Sequence, residues 1–437
     1  MFVISVLPSP LTSLIIVSAL PDRLFVPFKM SDKWSLGHSV PTKEHHEHQA
    51  SLEAVYDMSG NSLGPLASAM RQTASHTFYR IIEHFAAIDP YPNTPRHQRP
   101  TTYSRPQLVR LTYEHALSDE SRDVFLRAFF GSMALAMDMD SNAALDFQSL
   151  ASPFEGFAVY LMDNFFLAMK ASLGKTPQPS PASHSTVLRA QSSAAASKHT
   201  LTPDRLSTLR GACLLRDRHR CVISHNFDDH EYISRFKLYG QEAYDDDRCL
   251  LTQQDQFEPL EVAHILPYSL MKAGSGAITD LQDAARKAAI DILNMFDMGV
   301  AHMIDGVDID RPRNALTLTY RLHHHFGAFN VYFEPVPNQD NTYRIQSFLP
   351  PIINNQLGLP VTRALFITDD HTIDPPSRRL LAIHNAIAHI LHLSGAGGYA
   401  DRMLRDMEDG VVRADGSSEL GSMVHLNLLG RVKSTVY

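Results

Sequence analysis

The sequence predicts an α+β protein. Three observations carry this: apolar residues at helical spacing through the first half, a Pro/Ser/Ala-rich break after it, and a second half in which short apolar runs alternate with helical ones. With 437 residues, 44% of them hydrophobic, the chain can bury a sizeable core. That length suggests roughly two to four structural units.

Residues 1–51 are expected to be disordered or to come from an over-extended reading frame, with Met30 as an alternative start. Their apolar run from Leu11 to Leu20 has no Lys or Arg before it, and Pro8 and Pro10 interrupt its entry, so the charged region of a secretory signal is missing. The run is also shorter than the ~20 residues of a membrane span. No membrane partner is expected. Residues 52–173 form a helical accessory domain, in which Phe78, Ile81, Ile82 and Phe85, then Phe125, Phe129, Met133 and Met137, recur at threes and fours. From Phe157 to Met169 the stretch is apolar almost all round and implies a buried helix.

Residues 174–203 carry Pro177, Pro179 and Pro181 amid Ser and Ala, a composition that cannot offset its ordering entropy, so a flexible linker is expected. The next domain, 204–350, begins with a helix over Arg205–Arg220. A strand follows at Leu260–Ile265, then a helix at Asp280–Met298. Another strand at Ala315–Thr319 leads into a helix around Leu322–Phe326. Strands at Asn330–Glu334 and Tyr343–Phe348, separated by the turn-rich residues 337–341, predict a hairpin. A helical extension occupies 351–410, with a helix over Pro376–Leu393 stopped by Gly395, Gly397 and Gly398. Residues 411–437 are a tail.

A net charge of −8 argues against a protein that coats nucleic acid along its whole surface. Any such binding needs a local basic patch, and Arg205–Arg220 offers one, with five arginines against Asp217 alone. Arg210, Arg216, Arg218 and Arg220 are therefore either phosphate-facing or part of a solvated helix face. Cys213, Cys221 and Cys249 are too few and too irregularly spaced for a disulfide framework or a four-thiolate zinc site, which favours a reducing, intracellular compartment. Most of the 23 histidines sit singly in polar segments, where solvated surface is the ordinary role.

The residues that stand out are Ala263-His264-Ile265-Leu266-Pro267, then Asn314, then His323 after eight intervening residues. Around them lie Arg220-Cys221-Val222, Glu261, Pro312-Arg313-Asn314-Ala315-Leu316, Phe326-Gly327 and Tyr332-Phe333-Glu334-Pro335. Together these resemble the HNH endonucleases, in particular fungal proteins with an HNH domain of the AHIxP type. The helical tail around Ala388-His389-Ile390-Leu391-His392 is similar to theirs as well. The resemblance implies a ββα-metal (HNH) nuclease domain that hydrolyses DNA with one divalent ion, Mg, Mn or Zn.

Imidazole suits such a reaction because its pKa of about 6.5 lets it take a proton from water near neutral pH, while a cation neutralises the charge that grows on the phosphate. Carried over by position, His264 would be the general base, Asn314 would support it, and His323 would hold the metal. All three are expected to converge around one cation. His324 and His325 diverge from His323 by about 100° per residue and are expected at the surface, with a register one residue later as the alternative. Two positions depart from the family's pattern: Ala263, where many relatives carry a metal-binding Asp or His, and Gly327, four after His323. Glu261 could substitute as a metal ligand. In a regular strand, however, it faces away from His264, so a bulge would be needed to bring the two together. The alternatives are a nucleic-acid- or protein-binding module that has lost catalysis, and a domain in which the histidines bind zinc structurally. His389 and His392 share a helix face without a third ligand and read as a packed or surface pair.

Overall fold

The computed structural model describes residues 64–95, 97, 99, 102–171, 202–254, 256–267, 280–368 and 372–409. The expected N-terminal segment 1–51, residues 174–201 of the expected linker and the tail 411–437 lie outside the described residues.

Among the described residues, four helices build the front of the molecule: α1 (Ser68–Ala87), α2 (Arg105–Glu114), α3 (Asp119–Ser132) and α4 (Phe147–Leu161), the last running through a π-turn at Met162–Phe166 into Leu167–Ala171. Their starts are chemically marked. The Ser104 and Ser118 hydroxyls accept from the backbone N–H groups of Gln107 and Ser121, and Asp119 and Glu120 complement the positive end of α3. The predicted stripes are inside: Phe78, Ile81, Phe125 and Phe129 are fully enclosed, and Phe78 meets Phe125 and Phe129 edge to face. Burying each such ring contributes about 1.5–3 kcal/mol. Phe157 to Met169 contributes Phe165, Phe166 and Leu167 to the same interior.

The front helices share this core with the second half of the chain. Leu117 N–H donates to the Phe296 carbonyl at 2.7 Å, Met298 N–H donates to the Ser121 hydroxyl at 2.8 Å, and Phe165 stacks on Phe296. The accessory layer is therefore packed onto the helix that lies between the two strands of the predicted site.

The second half begins with α5 (Thr202–Arg216), β1 (Phe227–Asp228), α6 (Asp229–Tyr239) and β2 (Phe257–Glu258), with β1 and β2 parallel. Next come β3 (Leu260–His264), α7 (Asp280–Phe296), β4 (Ala315–Thr319) and α8 (Tyr320–Gly327). β3 and β4 pair antiparallel in unbroken register from Leu260↔Thr319 to His264↔Ala315. A three-stranded antiparallel sheet follows, β5 (Val331–Pro335), β6 (Thr342–Ser347) and β7 (Val361–Ala364), with α9 (Pro351–Leu357) between the last two. Two helices close the described chain, α10 (Arg378–Leu393) and α11 (Ala396–Glu408).

Three expectations are corrected. The basic helix stops at Arg216 rather than Arg220, because Arg218 and His219 adopt φ of 54° and 53°, which no right-handed helix accommodates. The β5–β6 hairpin gains a third strand, β7, too short and too polar in pattern to read from sequence. Gly395 does end α10, with φ of 78°, yet α11 starts at the next residue and runs through Gly397 and Gly398. Burial of Ala396, Tyr399, Ala400 and Met403 outweighs the cost of two glycines in its first turn.

Candidate functional site

The strands β3 and β4 form a hairpin-like pair whose connection is long, and α8 follows β4 directly. Strand alternation sorts the side chains. On one face lie Val262, His264 and Ala315; Val262 and Ala315 pack against Leu209 and Cys213 of α5. On the other lie Glu261 and Ala263, turned toward α8.

Asn314 joins the two strands where β3 ends. It is fully buried and uses its whole amide: Oδ1 accepts from Leu266 N–H at 3.0 Å, and Nδ2 donates to the carbonyls of Leu266 and Ile309 at 3.0 and 3.1 Å. Its backbone carbonyl accepts from Ile265 N–H at 2.8 Å. The residues just after His264 are thereby tied to the start of β4 by three bonds from one residue, and a fourth reaches Ile309; an amide supplies the two donors and the acceptor that its side chain needs for this.

His264 sits at the end of β3 with Nε2 3.2 Å from Asp310 Oδ1, both side chains only 2% exposed. The other oxygen of Asp310 faces Arg205 Nε of α5 at 3.4 Å. A carboxylate oxygen accepts, so Nε2 is the donor of this contact, and in the neutral ring the lone pair then belongs to Nδ1. That nitrogen is buried and has no partner among the described residues. Asp310 has one signal in the sequence, the acidic pair Asp308 and Asp310 just ahead of Asn314.

His323, on α8, places Nδ1 2.6 Å from Glu261 Oε2. The hydrogen bond from His323, opposed by partial burial, holds the Glu261 carboxyl below its ordinary range, with Arg210 adding to the effect. Here too the carboxylate accepts, which leaves His323 Nε2 as the lone-pair nitrogen. The pair is partly open, with Glu261 25% and His323 13% exposed. Glu261 shares the α8-facing side of β3 with Ala263. No bulge is required or present.

The expected convergence of His264, Asn314 and His323 on one cation is therefore not what the chain forms. Each imidazole has its own carboxylate, on opposite faces of an unbroken strand, and Asn314 is spent on backbone. No group of three or more His, Cys, Asp or Glu placed to hold a metal occurs among the described residues. His324 is exposed and His325 half-buried. His389 and His392 are packed, with His392 stacked on Phe348 at 4.0 Å and His389 meeting Tyr332.

The arginine expectation is also corrected. Arg216 is wholly enclosed, paired to both oxygens of Asp217 at 2.8 Å and donating to the carbonyls of Pro312 and Ala315 at 2.7 and 2.9 Å. Burial works against its charge, but Asp217 more than restores it and keeps the guanidinium above its ordinary pKa. Arg210 is buried and donates to the Leu260 carbonyl at 2.9 Å. Arg220 is held by Asp245 and the His225 carbonyl, while Arg218, half-exposed, pairs with Asp247 and lies over Phe366. Three of these four fasten α5 and its exit loop to the site, so they are not free to meet phosphate. Cys213, between them, has its thiol pushed up to about 12 by burial, which makes it an inert packing group.

A strand pair closed by a buried amide, followed at once by a helix, with one imidazole–carboxylate pair on each face, defines a small mixed unit built around histidine chemistry. Residues 249–334, which contain all of it except α5, match the HNH endonuclease family. No curated protein and no solved structure matches the chain. The matched domain points to nuclease or nucleic-acid-binding function. No helix among the described residues is long and apolar enough to cross a membrane.

Proposed function

We propose that the chain is a metal-dependent endonuclease of the ββα-metal kind, AHIxP type, that hydrolyses phosphodiester bonds in DNA with His264 as general base. What supports this best is the match of residues 249–334 to the HNH endonuclease family, together with two imidazoles that each have a carboxylate partner. His264 keeps a lone pair at Nδ1 behind a carboxylate-bound Nε2, and His323 keeps one at Nε2 behind a carboxylate-bound Nδ1.

Among the described residues the donors toward a divalent ion are two, His323 and Glu261. A metal-ligating histidine ordinarily donates its second ring N–H to a carboxylate, which is the relation of His323 to Glu261, and a hard cation leaves its remaining positions to water and phosphate oxygens. His323 and Glu261 would hold it, the first through Nε2 and the second by fixing the ring. When bound, the ion supplies positive charge to the phosphate and the departing oxygen.

Asn314 keeps the backbone beyond His264 in place, which sets the direction of the ring. His264 Nδ1 takes the proton of a water, and the oxygen of that water forms the new bond to phosphorus as the bond to the leaving oxygen breaks. Positioned general bases contribute about 10²–10⁴-fold. Nicking of a supercoiled plasmid with Mg, Mn or Zn should therefore stop with chelator and fall at least about a hundredfold in His264→Ala, with the far-UV spectrum retained. Undiminished nicking by His264→Ala would refute the assignment.

A second reading has its own support: Ala263 and Gly327 remove two ligand positions, and His264 is almost fully enclosed. On that reading the domain binds nucleic acid without cutting it. Retention of a labelled duplex in the presence of chelator, with no product at any ion concentration, is its signature.

A further inference from the structure

We infer that Asp310 is the positioning residue for His264, and that Arg205 sets which way Asp310 acts. The inference rests on the reading of His264 as the base. Three groups lie in a row from three different parts of the chain: Arg205 Nε, 3.4 Å from Asp310 Oδ2, and Asp310 Oδ1, 3.2 Å from His264 Nε2. Asp310 is 2% exposed and lies 46 residues beyond His264, so the contact is a product of the fold and not of local chain geometry.

A buried carboxylate that only accepts holds imidazole in the tautomer with hydrogen on Nε2. The consequence is that Nδ1, enclosed and without a partner among the described residues, is an acceptor awaiting a donor. Leaving it so is costly, and a substrate water that donates there relieves the cost. In the reaction the O–H bond of that water breaks and its proton goes to Nδ1. The hydroxide oxygen bonds to phosphorus, the bond to the leaving oxygen breaks, and the leaving alkoxide takes a proton from solvent. Asp310 faces the imidazolium as it forms.

Arg205 gives the idea a sharp test. In Asp310→Asn, Arg205 donates to the side-chain carbonyl oxygen, because it has nothing else to offer. The amide NH₂ is then turned to His264 Nε2 as a donor, which forces the hydrogen onto Nδ1 and removes the lone pair that the water needs. In the double variant Asp310→Asn with Arg205→Met, the amide can turn over, present its oxygen to Nε2 and restore the productive tautomer.

The experiment combines nitrogen NMR of His264 in the full chain with plasmid-cleavage kinetics. Expected are hydrogen on Nε2 in the wild type and on Nδ1 in Asp310→Asn, with kcat lowered about a hundredfold or more, KM within about twofold, and part of kcat regained in the double variant. Hydrogen on Nδ1 in the wild type, or kcat unchanged in Asp310→Asn, overturns the inference. If the wild type cleaves nothing with any ion, the nuclease reading fails by itself, and the nitrogen shifts still decide whether Asp310 sets the tautomer.

Discussion

Asn314 makes three side-chain hydrogen bonds in an enclosed site, and each is worth about 0.5–1.5 kcal/mol while its loss leaves a buried donor or acceptor unmet. Asn314→Ala should therefore lower the unfolding free energy by roughly 2–4 kcal/mol in urea titration. Asn314→Asp should cost a comparable amount, since it keeps the acceptor for Leu266 N–H but sets a carboxylate against two carbonyls. A loss under about 0.5 kcal/mol in both variants would show that the amide does not hold the strands together. His264, Asn314 and His323 were visible in the sequence because residue type and spacing survive without a fold. Their partners were not: Glu261 lies 62 residues from His323 and Asp310 lies 46 from His264, and no local pattern encodes a hydrogen bond across such distances. The convergence on one cation failed for a related reason, since a spacing of three along a regular strand puts Glu261 and His264 on opposite faces.

At the scale of elements, α5 shows how a charge count misleads. Its arginines read equally well as a phosphate-facing surface or a solvated face, and the fold uses Arg210 and Arg216 as neither. The two guanidiniums cap backbone carbonyls of β3, β4 and Pro312. Arg216→Met should cost about 3–5 kcal/mol because it strands the buried Asp217, and the double variant Arg216→Met, Asp217→Leu should recover most of that loss. Arg218→Ala, which removes a half-exposed pair, should change stability by less than about 1 kcal/mol. Thermal or urea midpoints check all three, and equal losses in Arg216→Met and Arg218→Ala would contradict the burial argument. Helical periodicity located α1, α7 and α10 because each buries one continuous stripe, but it carried α3 on through Met133 and Met137, whereas that helix ends at Ser132 and Ala134 turns to a φ of 52°. It missed β7, and it missed α6, which has no buried residue to betray its period. What sequence patterns report is burial, so elements held by hydrogen bonds and caps alone leave little trace.

The molecule as a whole has its front helices, the strand pair's long insertion and the C-terminal helices on one core, and several histidines lie at those joints. His384 is enclosed, stacks on Phe326 at 3.9 Å and bonds the Phe326 carbonyl; burial pushes its pKa down to about 3. His115 meets His389 where α2 faces α10, and burial with that neighbour lowers it to about 4. Both have folded values below the ~6.5 of an unfolded histidine, so as pH falls through 6.5 the unfolded chain gains protons that the folded one refuses, and stability drops until the folded values are reached. Asp291 acts the other way: burial raises it to about 6, so the folded form takes up a proton between there and the ordinary carboxylate range. Two histidines against one carboxylate leave a net loss, and the lowered values of His389 and His392 add to it. Unfolding free energy should thus fall by roughly 2–3 kcal/mol between pH 7 and pH 5, with His384→Gln removing more than half of the drop. Equal urea midpoints at the two pH values would mean that these rings open to solvent in the folded protein, and that the joint between the front helices and α10 is looser than its packing implies.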